Sequence, residues 1–437
     1  MCRLRTHNDY EHFGRPAGAE PPANSARPGC DILRIRAIGS GHAHVVDEHH
    51  CAPCSPGVVG GGRRLEFRLV ALAIGVGAAV GCFLIGPFVD RYGPRATCMP
   101  TMIIYPLMYI PFAFLQGIAS AMFLGVMIGL LRGAFDTAFN THGVQVERYY
   151  GRPIMSAFHA AYPAGGFVIG LVASAIARHY VESPAVAYIS IGVTMSVLGA
   201  VFGRWLLTRD ELLPPAAAVA IEKQSTTERS ASTTTLLIMA GFGLLMLASM
   251  LSEGAILDWG QEFVRRHADT SAGMAATAVT FYSGAQFVGR LFGDRLAEYF
   301  GARVIVAVSG VIGFVGALLA IGGASAPFAL VGFVLLGLGL ACMAPLMLSA
   351  AGRRDPENAG RNIGIVNAIG YVGMLAGPAA ITLIVDGFGI GWMPALPAIL
   401  LLLIAVGGPV LMKTVPRYSE TERTGNAPKP EHHTVSH

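Results

Sequence analysis

Hydrophobic residues along the chain fall into long runs that are separated by short polar breaks. A run of about 20 apolar residues is long enough to cross a hydrocarbon core of roughly 30 Å as a helix. Eleven such runs occur, near residues 66–89, 97–115, 118–147, 154–180, 185–207, 235–263, 272–297, 303–323, 326–351, 361–387 and 391–413. The pattern predicts an all-α membrane protein in which successive helices are antiparallel.

One longer polar break divides the runs into two groups. It contains two prolines and a Ser/Thr-rich stretch, a composition typical of a solvated linker. We therefore predict an irregular or disordered segment, a bundle of five spans, a cytoplasmic linker, a bundle of six spans and a cytoplasmic tail, over residues 1–64, 65–207, 208–233, 234–413 and 414–437.

Composition agrees with a membrane protein and excludes several other classes. Hydrophobic residues make up 53% of the chain and charged residues only 13%, whereas about a quarter of the residues in a soluble domain are charged. The net charge of +4 gives no reason to expect a nucleic-acid partner. No P-loop, nucleophile elbow or H-E-x-x-H motif is present, so we predict neither ATP-driven transport nor an enzyme, and no cofactor.

Basic residues are distributed unevenly between the two sets of alternating loops. One set holds fourteen Lys and Arg residues and the other holds three. Because short cytoplasmic loops are enriched in basic residues, this asymmetry predicts that the linker and the C-terminus face the cytoplasm. The expected location is the inner membrane of the cell.

A short motif occurs twice, each time after a span that should end on the cytoplasmic side. It contains an acidic-basic pair followed by a glycine, which permits a tight turn, and an arginine. The aspartate can accept hydrogen bonds from the N-terminus of a neighbouring helix. The recurrence indicates duplicated halves, and we regard as structural or gating residues Gly86, Asp90, Arg91, Gly93 and Arg95 in the first copy and Arg290, Asp294 and Arg295 in the second.

The two turns resemble the signature loop of the major facilitator superfamily, and the resemblance continues from about Leu65 to Leu411. The strings that begin at Asp136, Gly151, Glu253 and Gly370 resemble a bacterial branch related to fucose permease, the YbjJ-type proteins. The resemblance implies two six-helix bundles around a central cavity that opens alternately to each side. It therefore implies transport of a small solute, but no particular substrate.

The N-terminal segment differs from the pattern of this family. Residues 1–62 contain many charged residues, His, Gly and Pro and no run long enough to span a membrane, so the first of the family's twelve helices has no counterpart. We expect this segment to result from a misplaced start or a shifted frame. Its His and Cys residues between His42 and Cys54 have spacings compatible with a metal site, but the surrounding composition cannot form a core, and no metal is predicted.

The third run holds the most informative polar residues. Arg132, Asp136 and Asn140 recur every four residues, and Glu147 extends the stripe on one face of the helix. Charges at membrane depth are costly and usually face a bundle interior or a cavity. Arg132 and Asp136 can pair at a spacing of four. The stripe therefore predicts either a substrate-binding or coupling site, or a structural pair that holds the bundle together.

Further polar residues lie at the ends and centres of other runs. Glu147 and His159 are candidates for a proton relay, or for a hydrogen bond that closes the hairpin between two spans. Glu253 and Asp258 are candidates for an external gate or a polar rim. Gln286, Asn367 and Tyr371 are candidates for solute contacts or for polar contacts between helices.

The sequence as a whole predicts a secondary transporter that works by alternating access. Its expected partners are a small-molecule solute and the lipid bilayer, a proton is a candidate coupling ion, and a monomer is expected. The alternative is a non-transporting membrane receptor or an inactive, truncated relative of a permease.

Overall fold

The computed structural model describes residues 59–115, 117–180, 183–212 and 233–416, which are helical with short turns and contain no strand. The helices are α1 (Val59–Tyr92), α2 (Pro94–Leu107), α3 (Ile118–Tyr150), α4 (Met155–His179), α5 (Pro184–Phe202), α6 (Thr233–His267), α7 (Ala272–Phe300), α8 (Ala302–Gly322), α9 (Ala326–Ala341), α10 (Met343–Arg354), α11 (Ala359–Phe388) and α12 (Ala395–Met412).

Each of the eleven predicted spans corresponds to a helical segment in these ranges. α9 and α10 form one span with an irregularity at Cys342, and a short 3₁₀ turn extends α2 to Phe114. Ten segments are long and apolar enough to cross a membrane by themselves. The exception is α7, because polar residues such as Gln286 and Arg290 reduce the hydropathy of its buried face. The prediction of an all-α membrane protein is confirmed.

Some predicted features lie outside the described residues. They are the segment before Val59 with its His/Cys cluster, residues 213–232 of the linker, and the tail after Pro416. Helix α1 begins at Val59, a few residues before the predicted boundary at residue 65. In the ranges that the structure describes, no three His, Cys, Asp or Glu side chains come together as a metal site would require.

Glycines allow the helices to pack closely. A Cβ atom on Gly133 of α3 would lie 2.0 Å from the carbonyl oxygen of Ala78 on α1, and a Cβ on Gly129 would lie 2.1 Å from that of Ile74. Helix association within a bilayer depends on such close backbone approach, since lipid is as apolar as the side chains. The pairing of α1 and α3 therefore depends on the absence of side chains at these positions.

Two turns at the same end of the bundle contain the repeated motif. Gly93 joins α1 to α2 with a φ of 85°, and Gly301 joins α7 to α8 with a φ of 83°. Side chains are strained in this region of backbone space, so glycine is the natural residue at both turns. We call this end of the bundle the motif end. Alternation of the helices brings the starts of α4 and α11 to it as well.

Candidate functional site

The first copy of the motif binds the other half of the molecule. Asp90, at the end of α1, accepts hydrogen bonds from the backbone N–H groups of Gly360 (2.6 Å) and Arg361 (2.9 Å). These groups belong to the first turn of α11, where N–H groups have no partner within the helix. The carboxylate thus caps a helix of the second half and interacts favourably with the helix dipole.

The second copy makes the same contact in the opposite direction. Asp294, near the end of α7, accepts hydrogen bonds from the N–H groups of Ser156 (2.9 Å) and Ala157 (2.7 Å) in the first turn of α4. Asp294 lies 204 positions after Asp90, and Gly360 lies 204 positions after Ser156. We call these two contacts the reciprocal latches, because each half contributes one carboxylate and one helix N-terminus.

The residue four positions before each aspartate differs between the halves. In the first half it is Gly86, where a Cβ would lie 2.7 Å from the carbonyl oxygen of Gly360, so α1 and α11 are in backbone contact. In the second half it is Arg290, whose guanidinium donates to the carbonyl oxygens of Ala341 (3.2 Å) and His159 (3.4 Å) and lies 3.8 Å from Glu253. Arg290 therefore links three helices of the second half to α4 of the first.

Polar side chains from three helices form a connected row further into the bundle, which we call the polar row. The Asn140 amide donates to Asp136 Oδ1 (3.0 Å), and Asn140 Oδ1 lies 3.1 Å from His159 Nε2. The Tyr371 hydroxyl donates to Asp136 Oδ2 (3.4 Å). Because Tyr371 lies on α11, the row joins α3 and α4 to the second half, and the carbonyl of His159 continues it to Arg290.

Arg132 makes no close salt bridge with Asp136, although the two charges lie within electrostatic range of each other, as their spacing predicts. No carboxylate of the described residues lies within ion-pair distance of its guanidinium, which sits over the Tyr371 ring at 5.8 Å from the centroid. The hydroxyls of Tyr105, Tyr109 and Tyr162 lie within electrostatic range. Asp136 instead takes its hydrogen bonds from Asn140 and Tyr371, so the half-buried arginine keeps N–H donors that no described protein group accepts from.

Glu147 closes the connection between α3 and α4. Its carboxylate accepts from the N–H groups of Ile154 (2.9 Å) and Met155 (3.1 Å), and the hydroxyl of Ser349 on α10 also donates to it. His159 bonds to Asn140 instead, so the two residues make no direct relay. The geometry fits a hydrogen bond that closes the hairpin between α3 and α4, but its donors are the backbone N–H groups of Ile154 and Met155 and not the His159 imidazole.

The remaining predicted site residues do not form one cluster. Gln286 is buried and donates to the Tyr282 hydroxyl (3.4 Å) on its own helix. Asn367 is fully buried on α11, and neither polar atom of its amide has a hydrogen-bond partner in the described part of the chain. Asp258 is exposed on α6, one turn beyond Glu253, and Arg91 and Arg295 are exposed at the motif end.

Several residues that border the polar row are not among those predicted from the sequence. The hydroxyls of Tyr105 and Tyr109 lie 2.9 Å apart, and their spacing of four on an apolar span is a signal that could have indicated a polar face. Tyr162 is exposed one turn after His159. The backbone donors of both latches have no sequence signature, because any residue except proline supplies an N–H group.

Comparison with known proteins identifies this architecture. The family model described as Major Facilitator Superfamily matches residues 233–435. An uncharacterized transporter, y4wD, of Sinorhizobium fredii is 30% identical over 353 residues, which cover 80% of this chain and 89% of that protein. An uncharacterized MFS-type transporter of Yersinia pestis is 28% identical over 77% of this chain and 84% of its own length.

Solved structures share the fold. The fucose:proton symporter of E. coli superposes with a TM-score of 0.63 at 15% identity, covering 79% of this chain and 91% of the symporter. The proton:xylose symporter XylE gives a TM-score of 0.64 at 11% identity, covering 80% of this chain and 86% of XylE. The fold is that of a multi-pass membrane transporter. The chain belongs to the major facilitator superfamily, as the motif turns predicted, and this membership makes it a transporter of small solutes rather than an enzyme.

Proposed function

We propose that the protein is a secondary active transporter that moves a small polar solute across the inner membrane by alternating access, with proton coupling. The reciprocal latches are the observation on which this proposal depends. They join the two halves through ionic hydrogen bonds at one end only, and such bonds can break when the halves rotate. The polar row is the candidate solute site, because it lies between the halves that would move.

The latches give alternating access a physical basis. A carboxylate that caps a foreign helix is held by a few charge-assisted hydrogen bonds, each contributing about 1.5–3 kcal/mol. Opening the motif end would return Asp90 and Asp294 to water, which offsets much of that cost. The two states can then differ by only a few kcal/mol, as a protein that must interconvert between them requires.

The charges along the polar row favour a solute with an acidic or strongly hydrogen-bond-accepting group. Arg132 has free donors in a half-buried position, and an arginine guanidinium matches a carboxylate or phosphate in a bidentate arrangement. The nearby tyrosines can hydrogen-bond or stack with the rest of the solute. Asp136 would bind the coupling proton, because its partners Asn140 and Tyr371 lie on different halves and separate when the halves move.

Orientation follows from the loop charges. We expect the motif end, the linker and the C-terminus to face the cytoplasm. Fusions of a cytoplasm-active and an export-active reporter at Ser225 and after His437 test this expectation. A signal from the export-active reporter at either position would overturn the orientation.

Transport and folding can be separated with two variants of the polar row in the full chain. Asp136→Asn keeps the size of the side chain and can still hydrogen-bond to Asn140 and Tyr371, with its amide nitrogen donating to the Tyr371 hydroxyl, so it should insert and melt as the wild type does. Uptake or efflux in proteoliposomes under a proton gradient should fall by roughly tenfold or more, the effect of losing one charged group at a site. Arg132→Gln should weaken binding of the solute by a similar factor.

A panel of small organic acids, sugars and amines, screened by the thermal stabilisation of purified protein, would supply the solute. Asp386→Asn, on the exposed end of α11, is the matched control. Unchanged transport by Asp136→Asn would remove this residue from the coupling site. Binding without transport in the wild type would instead favour the receptor interpretation.

A further inference from the structure

A groove on the outer surface of the first half is not part of the transport site. It has a volume of about 600 Å³ and lies at the motif end, between α2 and the short turn that follows α5. Its polar end contains Arg95, Thr208 and Arg209, and its apolar end contains Met99, Ile103 and Ile104. The polar and the apolar lining residues are thus separated along the axis of α2, and the polar residues lie at the level of the motif turn.

The apolar part of the groove faces the bilayer. Few residues of this span are buried within the protein, and Ile104 is 45% exposed on its outer surface. Met99 and Ile103 continue the same face of α2 by helical spacing. A hydrocarbon chain lying in this part of the groove would contact protein on one side and neighbouring lipid on the other.

The polar part attracts an anion. Among the described residues no side chain caps the N-terminus of α2, so the N–H groups of its first turn, at Arg95 and Ala96, and the positive end of its dipole favour an anion here. Arg95 and Arg209 add two positive charges. Glu211 lies near Arg95 and offsets part of its charge, while its Oε2 atom accepts hydrogen bonds from the backbone N–H (2.7 Å) and the hydroxyl (2.9 Å) of Thr208.

We propose that this groove binds an anionic phospholipid, with its phosphate at Arg95 and Arg209 and one acyl chain along Met99 and Ile103. Charge separation along the groove selects this ligand, because a free anion would leave the apolar part uncovered and a lipid without net charge would bring no net negative charge to the two arginines, of which Arg95 has only Glu211 nearby. Basic pockets at the cytoplasmic ends of membrane helices bind anionic headgroups by the same physics. The position agrees with the orientation that the loop charges predict.

The site would also support the first motif turn. Arg209 packs against Gly93, whose hypothetical Cβ lies 3.0 Å from the Arg209 Cβ, and the Arg209 guanidinium donates to the carbonyl oxygen of Arg91. A phosphate bound to Arg209 would hold this residue against the turn that ends in Asp90. A Cβ on Gly301, at the equivalent turn of the second half, would meet no atom of the described residues within 4 Å.

Native mass spectrometry of the purified full chain tests the proposal. Phosphatidylglycerol and phosphatidylcholine with identical acyl chains are added in turn, and bound lipid is counted as a function of concentration. We expect one phosphatidylglycerol to bind with an affinity roughly tenfold or more above that of phosphatidylcholine, as loss of one charged contact would predict. The double variant Arg95→Gln/Arg209→Gln should abolish this preference.

Two further variants make the experiment decisive. Arg303→Gln removes the corresponding arginine of the second motif turn and should leave the preference unchanged. Ala96→Trp keeps both arginines but fills the groove, and it should abolish binding by a steric effect even if the double variant folds poorly. Equal binding of both lipids by the wild type would overturn the proposal, as would a preference that survives Ala96→Trp.

A second arm distinguishes the lipid from a free anion. Inorganic phosphate and glycerol phosphate are added in place of lipid, and the melting temperature of the protein is recorded. The lipid should stabilise the wild type and these soluble anions should not. Full stabilisation by either soluble anion would assign the arginines to a soluble ligand and reject the phospholipid.

Discussion

The two reciprocal latches have the same capping geometry but different surroundings. The Asp90 latch lies beside Gly86, where two helix backbones touch, and beside a turn that Arg209 supports. The Asp294 latch lies beside Arg290, whose side chain contacts Ala341, His159 and Glu253. One interface between the halves is thus tightly packed and largely apolar, whereas the other contains charges that lead towards the polar row.

This difference suggests a division of roles between the interfaces. Backbone contact through glycines tolerates little rearrangement, because interiors are close-packed and respond to the addition of a single methyl group. A hydrogen-bonded arginine can exchange partners while its helix moves. We therefore expect the α1–α11 interface to set the position in which the two halves close and the α4–α7 interface to respond to the solute.

The largest expected effect comes from removing both latch charges. Asp90→Asn and Asp294→Asn should each cost about 1–2 kcal/mol of the closed state, because each replaces a charge-assisted cap by a neutral one. Two buried thiols report on the interfaces: Cys82 on α1, and Cys342, which lies against Gly293. Maleimide labelling of these thiols should accelerate roughly tenfold in each single variant and about a hundredfold in the double variant if the costs add.

The labelling experiment requires the other cysteines to be replaced by alanine. Asp386→Asn is again the charge-matched control at the opposite end of the bundle. A double variant that labels no faster than either single variant would argue against two additive latches.

An intermediate effect is expected from a methyl group in the tight interface. Gly86→Ala would place its Cβ 2.7 Å from the Gly360 carbonyl oxygen and 2.8 Å from the Arg361 Cα, both backbone atoms that cannot rotate away. Overpacking of this kind costs about 1–3 kcal/mol, so the melting temperature in detergent should fall. Gly284→Ala on α7, where a Cβ meets no atom of the described ranges within 4 Å, is the matched control. Equal melting temperatures for both variants would contradict the tight packing of α1 against α11.

The smallest effect concerns the support of the first motif turn. Hydrogen bonds from the Thr208 N–H and hydroxyl lower the pKa of Glu211, which is exposed. A lowered pKa means that the charged carboxylate stabilises the fold above its unfolded pKa of about 4.3, and that this contribution is lost as pH falls through the lower folded value. Glu211→Gln should therefore reduce stability at neutral pH by less than about 1 kcal/mol.

Melting curves between neutral and acidic pH measure this small difference. The wild type and Glu211→Gln should converge as the carboxylate becomes protonated. Glu298→Gln, at the exposed end of α7, should follow the wild type at every pH. A difference between the wild type and Glu211→Gln that grows on acidification would contradict the sign of the shift.

Most helices could be predicted from the sequence, and most side-chain contacts could not. Hydropathy is a local property, so the predicted start of α3 at residue 118 and of α7 at residue 272 agree with the structure. The motif glycines also identified both turns. By contrast, the spacing of Arg132 and Asp136 shows that the two residues share a helix face, from which an ion pair was predicted. Helical periodicity alone does not show which group hydrogen-bonds to Asp136. Tyr371, more than two hundred residues away, hydrogen-bonds to Asp136 instead.

The partners of the latches illustrate the same limit. Asp90 and Asp294 were predicted to accept hydrogen bonds from a helix N-terminus, and they do. Which helix supplies the donors depends on the arrangement of the two halves in space, and backbone N–H groups have no sequence signature. Gly360 and Ser156 were therefore found only in the structure.

Reciprocity also has a consequence for the ancestry of such a chain. A single half contains everything that both latches need, namely one carboxylate and one helix N-terminus. Two identical copies of a half-length precursor would therefore form both contacts at once, as an isologous dimer about a twofold axis. Fusion of the two copies into one polypeptide would have preserved that interface while freeing each side to change alone. Gly86 and Arg290 occupy equivalent positions in the two halves, and their difference is the kind of independent substitution that such a fusion permits.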